Sequence, residues 1–310
     1  MTLFPFIWLG IGILIGISKI VEKHKKITDF IMNISLVILM IVIGCNIGSD
    51  KAVISSIMTI GLNCFIIAFL AIMGSVVFIV LLEKTFLPLD SFRAEMTAQD
   101  ITTSEDSSQS SLIWIIPLSI ILGIGIGYFF FTNSNTTILD IMLKVSLAIL
   151  YGSVGIMLTE NSNVIIYIKK IGFKVILISI SILIGSFIGG YIGSVILNLP
   201  FYLTISPASG MSYYSITGAY LTEAFGIEAG TYGFLVNVFR EFLTVLFLPI
   251  LIKISKGSPI AAGAAGNMDT MLVPITKFVG KEIGMVALIT GTILTLAVPF
   301  ILPLLTLILK

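Results

Sequence analysis

SPASGMSYYSITGAYLTEAFGIEAG (206–230) and GSPIAAGAAGNMDTMLVPITKFVG (257–280) are the two stretches that decide the fold. Both are too apolar for solvated loops, yet both carry the Gly, Ser, Thr and Pro residues that interrupt helices. Irregular backbone survives at membrane depth only where protein or a water-filled cavity satisfies it. The segments 199–229 and 257–281 are therefore read as re-entrant helical hairpins, each entering the membrane and leaving on the same side. A full crossing by 257–281 is the alternative.

Outward from these, apolar windows of about 20 residues predict spans near 3–20, 27–47, 56–82, 112–131, 136–158, 171–198, 230–254 and 284–308. The composition agrees, with 57% hydrophobic residues, 11% charged residues and a mean hydropathy of +1.14. Soluble domains carry about 25% charged residues, so this chain cannot build a soluble surface. The expected fold is an all-α polytopic membrane protein with about eight transmembrane helices and two re-entrant hairpins. The first span has no basic leader and no A-x-A-like cleavage site, so it reads as a helix and not a secretory signal. A formal net charge of +1 gives no attraction to nucleic acid. Cys45 and Cys64 lie inside apolar runs and supply neither a disulfide framework nor a metal cluster. The single histidine, His24, sits in a Lys-rich loop as a solvated residue. No cofactor, metal or enzymatic chemistry is expected.

The basic residues orient the chain. With both termini outside, thirteen of the seventeen Lys and Arg residues fall inside, among them Lys19, Lys84, Lys169, Lys253 and Lys277. A fully crossing 257–281 would move Lys277 and Lys281 outside and weaken that bias. Residues 83–111 are acidic and Ser/Thr-rich, which predicts a disordered cytoplasmic linker.

An internal repeat lies at an offset of 111. Gly12, Gly16, Gly44, Gly61 and Gly74 fall on Gly123, Gly127, Gly155, Gly172 and Gly185, and Ser35-Leu36 falls on Ser146-Leu147. The domains are then 1–82 as a first three-helix repeat, 83–111 as linker, 112–198 as a second repeat and 199–310 as a transport core. Three crossings per repeat make the second copy inverted, the symmetry of secondary transporters that work by alternating access. Close helix packing is a second sufficient reason for the shared glycines. A weaker duplication follows, in which each hairpin precedes a span containing Phe247-Leu248-Pro249 or Ile301-Leu302-Pro303. The hairpin tips would then meet from opposite sides.

Broken helices aim amino termini at anions and free carbonyls at cations. In the first hairpin the break is Ser206 to Gly210, with Ser209 or Ser212 placed to cap the helix through Tyr213, Tyr214, Ser215 and Thr217. In the second, Gly263, Gly266 and Asn267 form the break and Asp269 falls in the first turn after it. A carboxylate at that depth points to function, although a helix-dipole partner is the simpler alternative. The span 230–254 carries Arg240 and Glu241 near its middle. Successive helix positions point about 100° apart, so the two cannot pair fully. Glu241 is the better candidate for a proton or a substrate amine, with Asn237 on the same face one turn earlier. Arg240 is either part of the site or a brace bonding hairpin carbonyls. Glu223 is either a coupling residue or part of a solvated mouth, and Lys144 pairs with Asp140.

Three motifs, ASGMSYYSITGAYLTEAFG (208–226), NVFREFLTVLFLPILIK (237–253) and GNMDTMLVPITKFVGKEIG (266–284), resemble the bacterial lysine exporter (LysO-like) family. The likeness runs over essentially the whole chain in span order. It implies export of L-lysine, and of its antimetabolite thialysine, across the inner membrane, driven by proton entry. The matching positions are Gly210, Tyr214, Ser215, Glu223, Arg240, Glu241, Met268, Asp269 and Pro274. Asn267 stands where the family more usually has Ser or Thr, and Gly210-Met211-Ser212-Tyr213 replaces a more aromatic start.

The expectation is a proton-coupled antiporter in the lipid bilayer whose small-molecule substrate is L-lysine. Ser209, Gly210, Ser212, Tyr214, Ser215, Asn237, Asn267 and Asp269 would bind substrate, while Glu241, Asp269, Arg240 and Glu223 would couple protons. A homodimer is compatible with the sequence. The alternatives are a carrier of another amino acid or organic ion driven by sodium, a passive channel, and, remotely, an intramembrane protease, which lacks its Tyr-Asp partner motif here.

Overall fold

The computed structural model describes residues 4–18, 25–85, 109–131, 137–160 and 174–309. His24, the Lys169–Lys170 loop and the linker over 86–108 lie outside the described residues. Those described are helical, with no strand among them.

The first set of helices is α1 (Phe4–Ile17), α2 (Lys25–Ser49), the short α3 (Lys51–Ser55) and α4 (Ile57–Thr85). The second set is α5 (Gln109–Phe130), α6 (Thr137–Glu160) and α7 (Lys174–Leu197). The last third holds α8 (Phe201–Ala208), α9 (Tyr214–Phe225), α10 (Ile227–Ile254), α11 (Gly257–Gly263), α12 (Leu272–Val279) and α13 (Lys281–Leu309). Among the described residues four helical stretches, 57–85, 175–197, 227–254 and 283–309, are long and apolar enough to cross a membrane. Their outward faces remain apolar, as Leu62, Val77, Val195 and Leu307 show. Such surface is unfavourable in water and suits lipid. The protein is membrane-embedded.

The first two sets interlock. α1 packs along α6, α5 packs along α2, and α4 crosses α7, so the first helix of each set lies on the second helix of the other. Glycine makes these contacts possible. A Cβ on Gly74 would strike the backbone of Gly185, and one on Gly185 the backbone of Gly74 and Ser75. Gly44 meets Ile120 and Gly123, and Gly155 meets Leu9 and Gly12, in the same way. Close approach through small residues is how membrane helices associate, and it accounts for these glycines. Residues 111 apart also touch directly. The Ser75 and Ser186 hydroxyls are 3.0 Å apart, and the Ser35 hydroxyl donates to the Ser146 carbonyl at 3.4 Å.

The last third shows a shorter offset, 54 residues, that the sequence reading did not resolve. Gly226 (φ 98°) and Gly280 (φ 89°) both end a hairpin with backbone only glycine adopts freely. Their N–H groups donate to Thr222 and Thr276 at 3.0 and 2.9 Å. Gly230 and Gly284, one turn on, lie against those same two threonines. The hairpins rest on equivalent supports as well, α8 on α7 and α11 on α4.

Candidate functional site

Both hairpins break where regular backbone fails, and the breaks touch. The Ala265 N–H donates to the Met211 carbonyl at 2.9 Å. Met211, Ser212 and Ala264 are non-glycine residues with φ of 50°, 76° and 49°. Such backbone costs about 1–3 kcal/mol per residue and clusters at functional sites.

At the first break, Pro207 lies in the last turn of α8 and the chain turns through Ser209 to Tyr213 before α9 begins. One side chain of α10 holds this turn. Asn237 accepts from the Ser212 N–H at 2.7 Å, and donates to the carbonyls of Pro207 at 2.9 Å and Gly233 at 2.7 Å. Asn237 is fully buried with its amide thus engaged, so it braces the hairpin. Gly210 is needed there, because a Cβ would collide with Thr217 and Asn237. Neither serine caps α9. The Ser209 hydroxyl turns back to the Ile205 carbonyl at 2.5 Å, and the helix starts after Tyr213 without a side-chain cap. Back-bonding to the preceding turn competes with capping for a short hydroxyl. The Ser212 hydroxyl is buried with no partner.

At the second break, α11 ends at Gly263, a 3-10 turn spans Ala264–Met268, and α12 starts only at Leu272. Asp269 therefore lies in the break itself, not in the first turn of the following helix. Asn267 is buried, donates to the Ile260 carbonyl at 2.7 Å, and leaves its Oδ1 unpartnered.

Arg240 and Glu241 grip the two limbs of this second hairpin. The guanidinium of Arg240 donates to the carbonyls of Ala262 and Ala261 at 3.0 and 2.9 Å. It donates also to the hydroxyls of Ser186 and Ser75 at 2.8 and 3.1 Å. Arg240 is 1% exposed. Its four bonds run to neutral oxygens, so the bracing alternative is the one the geometry supports. A buried guanidinium persists when its donors are satisfied in this way.

Glu241 points the other way and accepts from the Thr270 hydroxyl at 2.9 Å, while the Thr270 N–H donates to Asp269 Oδ1 at 2.5 Å. The two carboxylates lie near enough to interact electrostatically. Glu241 is half-buried and Asp269 exposed, so both remain accessible. Gly266 borders the group, its Cβ position falling 3.1 Å from Glu241 Oε1 and 3.4 Å from the Ser212 Cβ. The structure thus brings together Ser212, Glu241 and Asp269, with Tyr213 and Tyr214 following Ser212 at the start of α9.

Three expected residues stand differently. Ser215 is buried in the first turn of α9. Tyr214 is half-buried and meets Phe234 edge-on, with ring centroids 5.7 Å apart. Glu223 pairs with Lys144 at 3.5 Å, and the expected Asp140–Lys144 pair rests on an Asp140 side chain outside those described. Thr270, Ser75 and Ser186 were missed. The serines had a signal, since each follows a glycine of the offset-111 set. Thr270 had only its place beside Asp269.

The family model described as Lysine exporter LysO matches residues 6–95 and 118–306. A lysine exporter LysO of Escherichia coli (strain K12) is 31% identical over 160 residues, 51% of this chain and 52% of that protein. A putative lysine exporter of Haemophilus influenzae is 29% identical over 119 residues, 38% of this chain and 61% of that protein. The aligned part thus spans between half and two thirds of these curated relatives. No solved structure matches.

Proposed function

The chain belongs to the lysine exporter LysO family, and from that premise we propose that it is a secondary transporter exporting L-lysine, and thialysine, across the bacterial inner membrane. The observation that carries this reading is the paired, accessible carboxylates of Glu241 and Asp269 beside two touching helix breaks. A lysine molecule presents two ammonium groups and one carboxylate. The acids suit the ammonium groups, by charge-assisted hydrogen bonds. The amino-terminal end of α9, with the unpartnered Ser212 hydroxyl beside it, suits the carboxylate. Either acid, once vacated, accepts a proton, which gives antiport of protons against lysine by competition for one site.

Alternating access would use the inverted topology of 1–82 and 112–198. Its support is that Ser75 meets Ser186 and Ser35 meets Ser146, each pair 111 apart. The hairpins then dip from opposite faces, with about eight crossings in all and both termini outside. Asn237, Asn267, Arg240, Ser209 and Gly210 shape the breaks, and Tyr214 and Ser215 wall the site.

The test is uptake of labelled lysine into inverted vesicles. Uptake that rises when the vesicle interior is made acidic, and competition by thialysine, are expected. Lysine uptake that ignores the proton gradient and follows a sodium gradient would replace the coupling ion. No lysine uptake at all would remove the substrate.

A further inference from the structure

Thr270 hydrogen-bonds both acids. Its N–H donates to Asp269 Oδ1 and its hydroxyl to Glu241 Oε1, so one residue of the second hairpin spans two carboxylates from different elements. Glu241 rides on α10, a continuous helix of 28 residues, whereas Asp269 sits in a turn between a 3-10 segment and α12. Without a tie, two like charges on separately supported backbone move apart. The Thr270 hydroxyl has a single proton to give, and giving it to Glu241 fixes that carboxylate against the Asp269 limb.

We propose that Thr270 is a positioning residue that joins Asp269 and Glu241 into one cation-accepting pair, and that its hydroxyl sets the pair's affinity for a primary ammonium group. The inference rests on the functional reading above, because it presumes that the pair receives substrate. Preorganised acceptors bind more tightly than free ones since less freedom is lost on binding. A hydrogen bond to a charged group is worth enough to move affinity roughly tenfold.

The test uses the full-length protein in proteoliposomes, read by lysine counterflow, with membrane levels matched by quantitative blotting. Thr270→Val keeps the shape and loses the hydroxyl, and is expected to raise the lysine KM roughly tenfold with a smaller change in maximal rate. Thr270→Ser keeps the hydroxyl and is expected to stay near the wild-type KM. If the valine variant fails to accumulate, Thr270→Ala takes its place, since alanine and serine differ there by the hydroxyl alone. A valine or alanine KM equal to wild type overturns the inference, and so does a serine variant as impaired as they are. Absence of counterflow in the wild-type protein sinks the functional reading instead, which keeps the two failures apart.

Discussion

In the first hairpin every group that holds the break is neutral, an asparagine amide against backbone and a serine hydroxyl turned on its own helix. In the second the break is gripped by a guanidinium on one limb and a carboxylate on the other, and it carries its own acid, Asp269. The offset of 54 sharpens the contrast. Asn237 and Gly291 are equivalent positions, yet Asn237 bridges to the Ser212 N–H while Gly291 lets α13 lie directly against the backbone of Asn267 and Met268. Glu241 corresponds to Thr295, whose hydroxyl bonds the Ala265 carbonyl at 3.2 Å. Both units carry charge, Arg240 and Glu241 on α10 and Asp269 in the second break, yet the three charged side chains gather at one break only. Under the proposed function the neutral break would be a fixed wall and the charged one the part that answers to ions.

The largest expected effect tests that division. Asp269→Asn or Glu241→Gln should lower lysine export by roughly a hundredfold, as losing a charge-assisted hydrogen bond to substrate of about 3 kcal/mol implies. Normal export by both variants would break the comparison. Next come the two braces. Arg240→Met orphans two carbonyls and should destabilise the folded protein by about 4 kcal/mol, and Asn237→Leu by about 3 kcal/mol. Thermal unfolding followed by size-exclusion chromatography in detergent reads both. A loss of lysine affinity in Arg240→Met that Asn237→Leu does not share would mean that Arg240 does more than brace. A smaller effect is expected from Gly291→Ala, about 1–3 kcal/mol, because the added methyl meets backbone that cannot move aside. The same measurement checks it. Smallest is the double change Lys144→Gln with Glu223→Gln. That pair is partly exposed, with 45% and 19% side-chain exposure, so under about 1 kcal/mol rides on it. Export should be unchanged, and a lost export would return Glu223 to the coupling residues.

The helix breaks were legible because Gly, Ser and Pro inside apolar sequence have few other meanings, and the fragment around Asp269 stood out because charge in such a setting is costly. The separate paths of Arg240 and Glu241 followed from helix geometry alone. What the Arg240 side chain reaches did not, since its acceptors are two serines far apart in sequence and two carbonyls, which look the same in every residue. Capping by Ser209 or Ser212 failed for a similar reason. A hydroxyl chooses between the turn before it and the helix after it by fractions of an ångström, and residue identity is silent on that choice. The contact of Lys144 with Glu223 on α9 joins two elements, which spacing along one helix does not reveal.

The meeting of Gly74 and Gly185 restricts the ways α4 and α7 can shift. With main chain resting on main chain, a slide of one turn would push Leu70 or Phe78 into the space that Gly74 leaves, and bulk would block it. Swivelling leaves the two glycines together, as a rivet leaves scissor blades together. Arg240 holds the hydroxyls of Ser75 and Ser186 right beside that rivet and the end of α11 with the same guanidinium. A change in the angle between the blades would reach the charged hairpin through that one guanidinium.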